Sequence, residues 1–241
     1  MVKTDAELSL LRRTDDPRYY LSAESALLNY IRIADEIAHL APAGSALLDW
    51  GCGQGQMSFL LQRRGLQVTS YDVGPTESLG PSRLFPEITV RRGTDPIALP
   101  YDAGSFDAVL SCGVLEHVPY PAASLAEIRR VLRPGGQFFI YNLPQRWSWP
   151  ETLRDLLHMG ATHRRRFTLG DVQDLLAGAG FDLSLMRRTN MLPKHLSGLP
   201  PALREGYGRL APVNLWLDRR LAATPWLNQI AGLLEIVAVK R

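Results

Sequence analysis

Leu47-Leu48-Asp49-Trp50-Gly51-Cys52-Gly53-Gln54-Gly55 decides the reading of this 241-residue chain. An apolar strand runs into a turn with glycine at every second position, and a helix over about residues 56–64 follows. Residues without bulk at such a turn let the backbone come close to a ligand, and the helix amides then face it. Asp72 closes the next strand, 17 residues after Gly55. A carboxylate at that point can accept two hydrogen bonds from a ribose diol.

Working outward, strands and helices alternate. A polar arm or short helix over residues 1–17 leads to a helix capped by Ser22 and running to about His39, with Leu27, Tyr30, Ile31, Ala34, Ile37 and Ala38 on one stripe. Strands are predicted at residues 45–50, 67–71, 88–91, 106–111 and 137–141, with a short proline-interrupted helix at 76–84 and a longer helix at 121–132. Arg133-Pro134-Gly135-Gly136 stops that longer helix. Thr168-Leu169-Gly170-Asp171 opens a capping-box helix to Ala179, and Gly180 ends it. Residues 181–188 and 233–240 are the last strand candidates, with helices around 202–210 and 213–222 between them. Strands spaced by helices predict an α/β fold, a parallel sheet covered on both faces.

Composition narrows the class. The chain is 46% hydrophobic and 21% charged, which excludes disordered and fibrous classes. Its longest stretch without a charged residue, 221–234, is 14 residues, too short to span a bilayer. Charge appears at once after Met1, so no secretory leader is predicted. Cys52 and Cys112 stand in no paired motif, which predicts neither a disulfide framework nor a zinc site and suits a cytoplasmic location. A net charge of +3 is too small to point to nucleic acid as a partner.

The glycine pattern also chooses the cofactor. A dinucleotide fingerprint requires glycine at position 56, where Gln56 stands. Glycines at alternate positions with Asp49 just before them suit a cofactor with no pyrophosphate. S-adenosylmethionine fits, because its cationic sulfonium tolerates nearby acids where phosphates would not.

Four ordered blocks extend this reading: residues 47–55, then Tyr71-Asp72-Val73-Gly74, then residues 95–107 (Asp95-Pro96-Ile97 to Phe106-Asp107), then residues 109–118 ending Val114-Leu115-Glu116-His117-Val118. With these, residues 45–143 resemble the class I S-adenosylmethionine-dependent methyltransferases, the methyltransferase-11 and ubiquinone-biosynthesis-like group. The resemblance implies a three-layer Rossmann-like sandwich with a mostly parallel seven-stranded sheet in the order 3-2-1-4-5-7-6, its last strand antiparallel. It implies one domain over 1–241, with a helical lid at 1–41, the cofactor core at 45–143 and a helical insertion at 193–228. By the same resemblance Gly51, Gly53 and Gly55 line the methionine and ribose, with Cys52 and Gln56 in the same loop. Asp49 organises the loop, and Asp72 with Val73 holds the ribose. Asp95 accepts from the adenine amine, and Ser111 and Cys112 border the methionine chain. Pro96 has no N–H to offer the adenine, so that contact falls to Ile97 or is missing.

For chemistry, methyl transfer is an in-line displacement that draws heavily on alignment. An oxygen acceptor gains from a general base. His117, after the fourth strand, and His163 are the candidates, with a structural histidine or a solvated basic loop as the plainer readings. Arg165 beside His163, and Tyr19 and Tyr20 before the first long helix, are candidate acceptor contacts. Glu116-His117 has no further ligand at useful sequence spacing, so no metal site is expected. The insertion carries Leu196, Leu199, Leu203, Trp216 and Trp226, which suits an acceptor cap, a homodimer face, a membrane-surface contact or plain packing. The expected activity is methyl transfer to oxygen of a small molecule (lipid-linked, saccharide, polyketide or aromatic), yielding S-adenosylhomocysteine. The alternatives are a non-catalytic cofactor-binding partner protein and a nucleic-acid or protein methyltransferase. No Asn-Pro-Pro-Tyr or Asp-Pro-Pro-Tyr motif follows the fourth strand to favour the last.

Overall fold

The computed structural model describes residues 2–14, 21, 23–156, 163, 165–194 and 200–241. It divides into two compact units: one of Met1–Ile33, Trp147–Thr162 and Arg188–Leu233, the other of Ala34–Arg146, His163–Arg187 and Leu234–Arg241.

The second unit carries the sheet, apart from the ends of its last two strands. In chain order the strands are β1 Ala46–Trp50, β2 Gln67–Val73, β3 Ser78–Pro81, β4 Thr89–Gly93, β5 Phe106–Cys112, β6 Leu132–Pro144, β7 Phe181–Thr189 and β8 Leu233–Lys240. They lie in the order β3-β4-β2-β1-β5-β6-β8-β7. The β1–β2, β1–β5, β2–β4 and β5–β6 pairs are parallel, and β3 pairs antiparallel with β4. The expected order is therefore present, with an eighth strand added at one edge. That strand replaces the short helix expected over 76–84. Gly80 and Pro81 are poor helix formers, and an edge strand tolerates a proline because one side of its ladder is unpaired.

Helices α1 Val2–Leu11, α2 Glu24–Leu40, α3 Gln56–Gln62, α4 Pro121–Val131, α5 Trp149–Leu156, α6 Leu169–Gly178, α7 Pro201–Arg209 and α8 Ala211–Ala222 complete the chain. Of the stripe read for α2, Leu27, Tyr30, Ile31, Ala34 and Ile37 are buried. The Ser22 cap lies outside the described residues, and α5 was not foreseen. Pro121 opens α4 at a position where its missing N–H costs nothing, and Leu125, Ile128 and Val131 on one face are fully buried. The capping box at α6 forms as read: Thr168 Oγ1 accepts the Asp171 amide and Asp171 Oδ2 accepts the Thr168 amide. Trp50 packs in the core with Val109, Leu125, Phe138, Phe181 and Ile236.

Arg133-Pro134-Gly135-Gly136 does more than end α4. Phe106 pairs with Leu132 and Ala108 with Gln137, so these four residues loop out opposite Asp107 alone. Arg133 bonds the Asp107 carboxylate across the loop, and Gly135 takes φ 73°. Further along, Arg187 on β7 joins Glu235 on β8, at 3.0 and 2.6 Å, and Glu36 on α2. Glu235 is fully buried, so this guanidinium supplies the charge that its carboxylate requires.

Candidate functional site: a glycine bend and a proton cluster

The bend between β1 and α3 is built by backbone conformation. Gly51, Gly53 and Gly55 have φ of 71°, 54° and 85°, the left-handed region that side chains disfavour. At Gly51 a Cβ would lie 2.6 Å from Val114, so packing also excludes a side chain. At Gly53 a Cβ would meet nothing within 4 Å: this part of the loop faces open space. Gly51 and Cys52 both donate their amides to the Tyr71 carbonyl at the end of β2, at 2.8 and 3.0 Å.

Two acids serve the bend from different sides. Asp72 accepts the Gly53 amide on Oδ2 at 2.9 Å and the Val73 amide on Oδ1 at 2.8 Å. Each carboxylate oxygen has a second lone pair, so both can still accept a hydroxyl. Asp49 lies beneath, only 1% exposed, and takes the Ser58 hydroxyl at 2.6 Å, while Ser58 takes the Ser70 hydroxyl at 2.7 Å. Burial pushes the Asp49 carboxyl up to about 6 against the lowering pull of Ser58. Cys52 and Gln56 are buried in the bend, and burial also raises the Cys52 thiol. Ser58 and Ser70 escaped the sequence reading because nothing local marks a serine nine residues downstream as a partner for Asp49.

The Asp95 turn is exposed at the side of the sheet. Asp95 Oδ1 accepts the Ile97 and Ala98 amides at 2.7 and 2.8 Å, bonds that hold its carboxyl below the usual range. The Ile97 amide, expected to meet an adenine, is thus turned onto Asp95. Pro96 sits between them in the turn. Leu99 anchors this loop to α4, its amide bonded to Glu127 at 2.8 Å and its carbonyl to Arg130 at 3.1 Å.

At the end of β5, Ser111 is fully buried, and its hydroxyl has no hydrogen-bond partner among the described residues. Cys112 Sγ lies 3.3 Å from Asn142 Nδ2. Asn142 has φ 56°, a conformation uncommon outside glycine and one that gathers at functional sites. Nothing in the sequence singled it out.

His163 comes to the same end of the sheet from far along the chain. Phe167 donates its amide to Pro144 O and accepts the Arg146 amide, both at 2.9 Å, laying residues 163–167 beside the end of β6. Arg165, expected to face an acceptor, gives Nη1 to the Val118 carbonyl and ties this segment to the loop after β5. Glu116 Oε1 then lies 3.8 Å from His117 Nε2 and 4.0 Å from His163 Nε2, with the two rings 5.8 Å apart. The Glu116 side chain is 1% exposed and its Oε2 has no hydrogen-bond partner among the described residues, while the His117 side chain is 60% exposed. Burial pushes Glu116 up to about 7, and burial with the neighbouring His163 lowers His117. The missing third ligand of the sequence reading is therefore present in space. The three donor atoms lie within 4.8 Å of one another. This is a grouping that could hold a metal ion, contrary to the expectation from sequence spacing alone. Tyr19 and Tyr20 lie outside the described residues.

Comparison with known proteins places this arrangement. The family described as "Methyltransferase domain" matches residues 48–140, the stretch from β1 through β6 that carries the bend and both acids. Residues 48–140 are thus similar to a methyltransferase domain. A ubiquinone biosynthesis O-methyltransferase of Xanthomonas axonopodis pv. citri is 38% identical over 121 residues, 48% of this chain and 50% of that protein. The chain spans about half the length of the curated relatives it matches. Among solved structures, a Thermotoga maritima S-adenosylmethionine-dependent methyltransferase, possibly a histamine N-methyltransferase, shares the fold. Its TM-score is 0.57 at 19% identity, over 88% of this chain and 89% of that one. So does the Burkholderia thailandensis 1,6-didemethyltoxoflavin-N1-methyltransferase, solved with its acceptor and S-adenosylhomocysteine. Its TM-score is 0.54 at 20% identity, over 99% of this chain and 87% of that one. The chain thus shares the fold of these solved methyltransferases, with an eight-stranded sheet of its own. Among the described residues no helix is long and apolar enough to cross a membrane.

Proposed function

We propose that the chain transfers a methyl group from S-adenosylmethionine to an oxygen of a small-molecule acceptor. The observation that carries this reading is the open face at Gly53, braced by Asp72 and undercut by Asp49. A side chain at Gly53 would occupy the space a ligand needs, and the two acids suit a donor with a positively charged sulfur. When bound, S-adenosylmethionine supplies an activated methyl group. Asp72, with Val73 beside it, holds the ribose hydroxyls on its remaining lone pairs, and Gly51, Gly53 and Gly55 leave room for the methionine chain. Asp95 offers its exposed carboxylate edge to the adenine amine, and Ser111 and Cys112 border the sulfur end.

His117 takes the proton from the acceptor hydroxyl. Its lowered proton affinity keeps it neutral and able to accept at neutral pH, and the buried Glu116 steadies the charge it gains. His163 shares that carboxylate and sets the ring's surroundings. The oxygen assignment is supported by the curated relative's name, which is that of an O-methyltransferase. A cytoplasmic location is supported by two free cysteines, which suit a reducing compartment.

Calorimetry with S-adenosylhomocysteine, then labelled methyl transfer to a panel of hydroxylated aromatic and lipid-linked acceptors, tests the proposal. Micromolar binding with label recovered on oxygen is expected. Absence of binding at sub-millimolar ligand ends it.

A further inference from the structure

Helix α8, within the smaller unit, carries apolar side chains on both its inward and its outward faces. Ala211, Asn214, Leu215, Asp218 and Leu221 form its buried or half-buried stripe, which includes an amide and a carboxylate. Both are satisfied there. Asn214 Nδ2 donates to the Tyr207 carbonyl at 3.1 Å, and Asp218 Oδ1 accepts the Leu192 amide at 2.7 Å. The outward stripe is Val213, Trp216, Leu217 and Arg220, spaced as one face of a helix. Val213 and Trp216 are more than half exposed, and Leu210, Trp226 and Ile230 extend the exposed apolar surface on either side. Three large apolar side chains exposed side by side on one helix, Val213, Trp216 and Leu217, present a face to be covered.

Charge identifies what covers it. Residues 201–230 hold Arg204, Arg209, Arg219 and Arg220 against Glu205 and Asp218, a net charge of +2. The Arg220 guanidinium lies 5.5 Å over the Trp216 ring. We propose that the outward face of α8 docks on a bilayer surface rich in anionic lipid. Indole rings favour the headgroup level, where one part of the ring is wet and the rest apolar, and arginines beside them meet lipid phosphates. A second copy of the chain fits less well. A two-fold interface through this face would set Arg219 and Arg220 near their own counterparts. With no membrane-crossing helix among the described residues, the contact is peripheral.

Flotation of the full chain with vesicles of phosphatidylglycerol and phosphatidylcholine tests this, with pure phosphatidylcholine alongside. At about 0.1 M salt the anionic vesicles are expected to hold at least roughly ten-fold more protein, an advantage lost near 0.5 M. Arg219→Gln with Arg220→Gln lowers binding to anionic vesicles about 25-fold, from about five-fold per charge. Trp216→Ser with Leu217→Ser lowers it roughly ten-fold or more. Trp226→Ser, outside the helix, provides a variant that does not disturb helix packing, and unchanged melting temperatures show that each variant is folded. Failure of the parent chain to float, or equal flotation of parent and folded variants, overturns the proposal. So does a dimer in light scattering that Trp216→Ser converts to monomer, which assigns the face to a second copy.

Discussion

The Asp72 carboxylate holds the Gly53 amide at 2.9 Å, joining the end of β2 to the open face of the glycine bend. The same group therefore shapes the loop and, under the proposed function, would also meet the donor's ribose. Asp72→Ala removes two charge-assisted bonds of about 1.5–3 kcal/mol each and leaves two amides unmet. S-adenosylhomocysteine affinity should fall about 100-fold or more by calorimetry. Asp72→Asn should lie between, because an amide side chain can accept from only one of the two N–H groups.

Two glycines two residues apart should fail differently. Gly51→Ala combines φ 71° with a Cβ 2.6 Å from Val114, so it should lower thermal stability by roughly 2–4 kcal/mol. Gly53→Ala meets nothing within 4 Å and should cost only about 1 kcal/mol in fold, from its φ of 54°. Its methyl group enters the open face, so ligand affinity should fall at least roughly ten-fold. Melting curves beside calorimetry separate the two; equal loss of affinity with no difference in melting would contradict the geometry.

Asp49 gives a pH signature. Its folded pKa of about 6 stands above the ordinary 3.8, so the protonated form is favoured by folding. That stability is fully present below about pH 4 and is lost as pH rises through about 6, up to about 3 kcal/mol in all. Asp49→Asn, which can still accept from Ser58, should flatten the decline in denaturant midpoint over that window relative to the parent. It should also weaken binding of a cationic donor at neutral pH, since the negative charge beneath the bend is removed.

His117 sets the acid limb of turnover. Because burial and His163 lower its pKa below 6.5, the imidazole is neutral at neutral pH and activity should fall only below that value. His117→Ala should reduce kcat for an oxygen acceptor by roughly 10²–10⁴ with little change in S-adenosylhomocysteine affinity. An unchanged pH profile in that variant would remove His117 from the proton path.

Chelation distinguishes a proton cluster from a metal centre at Glu116, His117 and His163. A buried Glu116 carboxyl pushed up to about 7 beside two imidazoles suits the former, so overnight dialysis against a strong chelator should leave methyl transfer unchanged. Activity lost on dialysis and restored by zinc would reassign the three residues as ligands.

The parts legible in the sequence are those written locally. Glycines with positive φ, the strand–helix alternation and the Thr168–Asp171 box each lie within a few residues, and each appears in the structure as read. What escaped depends on distance along the chain. Ser58 and Ser70 meet Asp49 only once β1, β2 and α3 are packed. His163 joins Glu116 only because Phe167 bonds the end of β6. Edge strand β3 escaped for another reason: its pairing with β4 comes from the sheet, against the weak propensities of Gly80 and Pro81. At Asp95 the direction of the Ile97 amide is set by an internal bond that no pattern reveals.

The Arg187 junction bears on how such enzymes can be recombined. Its three members come from the beginning, the late middle and the tail of the chain, with Glu36 and Glu235 on either side of one cation. A chimera that imports the last two strands onto a foreign core keeps the neutral Arg187–Glu235 pair but loses the bond from Arg187 to α2 unless an acid at position 36 travels with them. Crossover points for recombination should therefore be chosen to keep α2 and the C-terminal strands from the same parent.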